Sequence, residues 1–332
     1  MRYGIFAMIT LLLISIALPI VDAQLRDTLV KDQPKLPKEL SDFYDNYRKK
    51  YMPEFIRFAL GGSMMGSMIE ENTENFFFSG NYIVIHDAGG LDDKTSRLAG
   101  EYLKDTVIKP LKEKKSVPLQ TGKTMSFRKL DRLSLAKLLY YYVRDDIYFP
   151  HPEEKGRRIS PISRIPGMDL MFTTTPEIIR FPCETVEDQH GACADKALLL
   201  ATLLNMEGYE VALGTAPSMA KKNDDGTFTW FGYHVCVYLK DEGWGDIGKY
   251  DLEKDVFGND LEGKWIILDP INSPRHVAHM RMMGGGKVLE FGDDPNWVEY
   301  REEDNTIFGY GLIDEETAKR FDAEEVKKKL IG

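Results

Sequence analysis

The stretch Asp188–Gly214, DQHGACADKALLLATLLNMEGYEVALG, sets a cysteine where a helix is due to begin. From Ala197 onward, Leu198, Leu199, Leu200, Leu203 and Leu204 leave few polar positions. A helix apolar nearly all round belongs in the middle of a core. Gly208 suits the position just past such a helix, where a left-handed backbone is favoured, and YEVALG then reads as a strand. Cys193 is therefore either a small buried residue or a nucleophile. A thiol attacks carbonyls as its thiolate, and a helix N-terminus favours that form through unpaired N–H groups and the macrodipole.

Working outward, SLAKLLYYYVRDDIYF predicts a helix with Ser134 as N-cap and an apolar stripe of Leu135, Leu138, Leu139, Tyr142 and Val143. A Pro-punctuated connection from Pro150 to Pro182 leads back to the cysteine stretch. Downstream, YHVCVYL reads as a strand with His234, Cys236 and Tyr238 on one side. KWIILDP is a second strand, closed by Asp269 and stopped by Pro270. The acidic, Gly-containing insertion between them is too long for a tight hairpin turn. Beyond Asn272, KVLEF is predicted as a strand and Glu315 to Leu330 as a charged helix. Helix, cysteine helix, then strands is an α+β order, not a wound βαβ sheet.

A histidine beside a thiol holds it as thiolate and later returns a proton to the leaving group. A carboxylate behind the histidine fixes its tautomer and orientation. Cys193, His234 and Asp269 supply these parts, none of them specific alone. Together they resemble the transglutaminase-like superfamily, whose fold is related to papain-type cysteine proteases. The likeness begins in LLYYYVRDDIYF and continues through Gly191-Ala192-Cys193-Ala194-Asp195 and Ala197, which match a G-x-C-x-D-x-A signature. It ends with His234 in YHVCVYL and with Trp265 to Pro270, a W-x-x-x-D-P strand end, and so runs over about 130–272.

The resemblance implies a core at 126–275 in which the nucleophile helix packs on an antiparallel sheet. It implies Cys193 as nucleophile, His234 as base and acid, and Asp269 as orienter, acting on peptide or protein amides without a cofactor. Animal members carry an upstream tryptophan that helps the oxyanion hole, whereas all four tryptophans here follow Cys193. The Cys193 N–H is one oxyanion donor and Tyr148 the candidate second, with Gln189 its rival. His190 reads as a loop residue, and Asp195 as a helix N-terminal charge facing away from the thiol. Cys236 stands where the family has an aromatic residue, either as a small buried filler or as a group facing the site with His234.

The chain's ends set the context. Arg2, the apolar run Ile5 to Val21 and the small Ala23 read as a signal peptide over 1–23. The rival is an uncleaved anchor, because the run approaches the roughly 20 residues a span needs. Either way the mature chain is exported, and it meets a membrane only if that segment stays. Residues 24–125 form an N-terminal accessory region. It contains a helix from Leu36 to Tyr51 with Leu40, Phe43, Tyr44, Tyr47 and Tyr51 at helical spacing, a short apolar helix in FIRFALGGSMMGSMI, a strand at NYIVIHD and an amphipathic helix from Thr95 to Lys114. Residues 276–332 form a C-terminal extension.

A net charge of −10 argues against nucleic acid as a partner. The three cysteines allow at most one disulfide, Cys183–Cys236 being the candidate. TGKT at 121–124 lacks the earlier glycine of a phosphate loop, His276 and His279 lack a third zinc ligand, and KNDDGT lacks spaced calcium ligands. The function expected is thiol-dependent acyl transfer, hydrolytic as in a cysteine protease or amidase. Protein cross-linking by a transglutaminase reaction and a binding module that keeps the fold without turnover are the alternatives.

Overall fold

The computed structural model describes residues 34–46, 93–148, 180–191, 193–222, 228–245, 247–253, 255, 260–271, 273–274, 288–293, 297–301 and 306–310; for 215–222, 228–234, 297–301 and 306–310 it describes the backbone alone. The expected signal peptide, FIRFALGGSMMGSMI, NYIVIHD, Tyr47 and Tyr51, the connection from Pro150 as far as residue 179, most of KNDDGT, His276 and His279, and the helix expected near Glu315 lie outside these residues. Within them the protein is mixed α/β with antiparallel sheets. No helix among the described residues is long and apolar enough to cross a membrane.

Helix α1 spans 38–46. A second helical rod is built from α2 (Asp93–Leu103), a π turn (Lys104–Ile108) and α3 (Lys109–Lys114), matching the amphipathic helix expected from Thr95. Strands β1 (Ser116–Pro118) and β2 (Thr124–Ser126) pair as a small hairpin. TGKT is its turn, with Gly122 at φ +78°. Helix α4 (Arg132–Tyr141) runs into a second π turn (Tyr142–Asp146). Its cap is Asp131, whose side chain accepts the Ser134 N–H at 2.8 Å, and not Ser134 itself. The longer reach of the Asp carboxylate lets the helix begin a residue after it, leaving Ser134 as the third helical residue.

Helix α5 (Pro182–Asp188) starts with Pro182, and the Glu184 carboxylate accepts the Phe181 N–H. Helix α6 (Cys193–Met206) is the central one. Every residue from Asp195 to Leu204 is buried, and Gly208 follows at φ +78° as the sequence requires. The main sheet then forms from β3 (Val211–Lys222), β4 (Phe228–Lys240), β5 (Tyr250–Asp251), β6 (Lys264–Leu268), β7 (Trp297–Arg301) and β8 (Thr306–Tyr310). Its order is β5-β6-β4-β3-β8-β7, antiparallel throughout.

Val288 to Phe291, the described part of KVLEF, is not a strand. Leu289 and Phe291 are buried instead beside α4, with Phe291 edge-on to Tyr140. Two hydrophobic anchors around a charged Glu290, which accepts from Tyr141, mimic strand alternation in sequence while serving as plugs.

Alternation on the sheet separates two apolar clusters. Val211, Leu213, Val235, Val237, Leu239, Ile266 and Leu268 join α4, α5 and α6 in the main core. Ala212, Cys236, Tyr238, Trp265 and Ile267 form a smaller cluster on the other face. The main core is continuous across the 125/126 boundary: Leu40 and Tyr44 of α1 are fully buried in it, and Tyr44 stacks on Phe181 at 4.1 Å.

Candidate active site

Cys193 is the first residue of α6 and is half-buried, while Cys183 and Cys236 are fully buried. All three thiols are free. Cys183 sits in the main core with its Sγ toward Ala99 O at 3.6 Å, and Cys236 in the smaller cluster, so the proposed disulfide between them is absent. Burial pushes the Cys183 thiol up to about 12. Burial raises Cys236 as well, helped by the Asp269 carboxylate and by Cys193. Cys236 thus lies within electrostatic reach of both Asp269 and Cys193.

Asp269 immediately follows β6 and is buried. Its Oδ1 accepts the Ile271 N–H at 3.1 Å, and its carbonyl accepts the Tyr140 hydroxyl at 3.1 Å. The last ladder pair of β4 and β6 is Val237 with Leu268, so one further step sets Asp269 across from Cys236. His234 is two residues before Cys236 on β4, paired across β3 with Ala216. Backbone position thus brings His234 to the strand end that carries Asp269; its side chain lies outside what is described.

Tyr148 is buried and joined by its main chain to the loop before Cys193. Its N–H donates to Gln189 O at 2.9 Å, and its carbonyl accepts the Gly191 N–H at 2.8 Å, a parallel bridge across to His190. Its amide and carbonyl are thus both engaged with the loop, and its hydroxyl is buried. Gln189, left-handed at φ +54°, donates its side-chain amide to Val186 O at 2.6 Å and so closes α5. Its role is that of a helix end.

His190 is likewise occupied. Arg180 Nη2 donates to Nε2 at 3.1 Å, which puts the proton on Nδ1, and this donates to Asp188 O at 2.9 Å. Burial, and then the Arg180 charge, lower its pKa, so the ring is held neutral with its lone pair engaged. Asp195 is also a loop anchor. It is 1% exposed and accepts both the Arg180 N–H at 2.6 Å and Arg180 Nη1 at 3.0 Å. The sequence identified its helix-terminal place but not this partner.

Two further groups were not anticipated. Lys196 is fully buried and donates to Arg144 O at 3.0 Å and Ile147 O at 2.9 Å. Burial lowers its pKa to about 7 against the raising influence of Asp145 and Asp269. Arg144 and Asp145 form a buried pair at 2.7 Å, with Arg144 Nη1 also donating to Leu289 O at 2.8 Å. A lone cation at the head of a leucine-rich run was the available sequence signal for Lys196. Among the described residues no group of three or more His, Cys, Asp or Glu could hold a metal ion. No family model matches the chain, and neither a curated protein nor a solved structure matches it.

Proposed function

We propose that the chain is an exported, transglutaminase-like thiol enzyme that transfers acyl groups from peptide or protein amides, chiefly to water. One observation carries the reading: of three free thiols, only Cys193 is open to solvent, and it stands at the first residue of a long buried helix. Structural cysteines are ordinarily shut in apolar surroundings, as Cys183 and Cys236 are. An accessible thiol at a helix N-terminus meets unpaired N–H groups that stabilise its anion.

In this mechanism the Cys193 Sγ attacks the amide carbonyl while His234 takes the thiol proton. The tetrahedral oxyanion is held by the Cys193 N–H and the Tyr148 hydroxyl. His234 gives its proton to the departing amine as the C–N bond breaks, leaving a thioester. Water, deprotonated by His234, then releases the acid and the free thiol. Asp269 keeps the imidazole oriented and balances its transient charge.

Alkylation of Cys193 by iodoacetamide, followed against pH by peptide mass spectrometry, tests the reading. Cys193 is expected to react well below the ordinary thiol pKa of about 8.5, and to lose that reactivity in His234→Ala. Incubation with casein, with and without a labelled primary amine, separates hydrolysis from cross-linking. If folded Cys193 behaves as an ordinary thiol, the enzyme reading fails and a binding module takes its place.

A further inference from the structure

Lys196 has a burial that apolar packing does not explain. It is one turn beyond Cys193 on α6, at the spacing where helix side chains become neighbours. Its Nζ binds Ile147 O at 2.9 Å and Arg144 O at 3.0 Å, the carbonyls left open where the π turn ends. The next residue, Tyr148, accepts from Gly191 N, upstream of Cys193. The thiol-bearing turn is therefore fastened on both sides to one dipeptide, Ile147-Tyr148. The charged groups facing the ammonium are Asp145 and Arg144 on the π turn and Asp269 after β6.

We propose that Lys196 is a positioning residue of the Cys193 site, locking the nucleophile's turn to the Ile147-Tyr148 segment. This rests on the reading of Cys193 as nucleophile. Lys196 touches no substrate; it acts by holding the loop and the helix start in register with the thiol. Without it the loop and helix start can shift relative to β4 and β6, and the thiolate loses its aligned partners.

The test uses the full chain, with iodoacetamide as probe. Wild type, Lys196→Met and Lys196→Gln are compared by alkylation of each cysteine across pH 5–10, with thermal unfolding followed in parallel. Methionine fills a similar volume without charge or donors. At pH 6 the Cys193 rate in Lys196→Met should fall about tenfold, corresponding to an upward displacement of its profile by about one unit, and converge on wild type at high pH. Cys183 and Cys236 should stay protected. A Cys193 profile superimposed on wild type overturns the assignment, as does alkylation of all three thiols in step, which marks general loosening. If Lys196→Met loses its cooperative transition, Lys196→Gln is read the same way; if neither folds, Lys196 serves the fold and the assignment fails. The wild-type profile alone decides whether Cys193 is a nucleophile, so the two readings fail separately.

Discussion

A methyl group added at Gly191 would lie 2.7 Å from the Asp195 Cβ and 3.1 Å from Thr185 Cγ2. That proximity is what brings the loop against the first turn of α6, so that Gly191 N can reach Tyr148 O. Gly191→Ala should cost about 1–3 kcal/mol by overpacking, read as a lower midpoint in urea, with slower alkylation of Cys193. Unchanged values for both would remove the close approach as a requirement of the loop. The glycine, cysteine and aspartate were legible in sequence because their spacing along one short stretch is local. The partners were not. Arg180 lies 15 residues before Asp195, and nothing in composition says that its guanidinium reaches both Asp195 and His190. Lys196 was hidden for the opposite reason, because one cation in an apolar run looks like a residue tolerated at a surface.

At the level of elements, the α6 latch gives a pH dependence of known sign. Lys196 has a folded pKa near 7 and an unfolded value near the usual lysine figure of about 10.4. Between those values the unfolded chain binds more protons, so stability rises with pH across that window and the full penalty is present below it. The melting temperature of wild type, relative to Lys196→Met, should therefore climb from pH 7 to pH 9.5. A constant difference would place the titration elsewhere. Element type was readable where periodicity was strong, as in α4, α6, β4 and β6. It failed at 288–291, where Leu289 and Phe291 alternate like a strand but sit buried against Tyr140 of α4, with no ladder partner. The hairpin of β7 and β8 escaped notice because its strands are short and their place in the sheet is set by pairing with β3, a long-range choice that local pattern does not encode.

Across the whole molecule, the main core joins α1, α2, α4, α5 and α6 with the sheet. Tyr44, 0% exposed and stacked on Phe181, is the test of that continuity. Tyr44→Ala should cost about 3–5 kcal/mol, as large aromatic truncations in cores do. Far-UV dichroism and tryptophan fluorescence should still report one coincident transition. Two separated transitions would instead divide α1 and α2 from the core built by α4, α5, α6 and the sheet.

The bridge between Tyr148 and His190 has a consequence for how this chain can vary. The chain leaves the described core at Tyr148 and returns at Arg180, and both ends are fastened to His190, one through the bridge and the other through the guanidinium. An excursion whose exit and entry share an anchor can change length without moving that anchor. Doubling such a segment adds only about 0.6 kcal/mol of closure entropy. Tyr148 and Arg180 thus meet at one fixed point, and whatever number of residues joins them, the loop that leads into Cys193 keeps its place through His190.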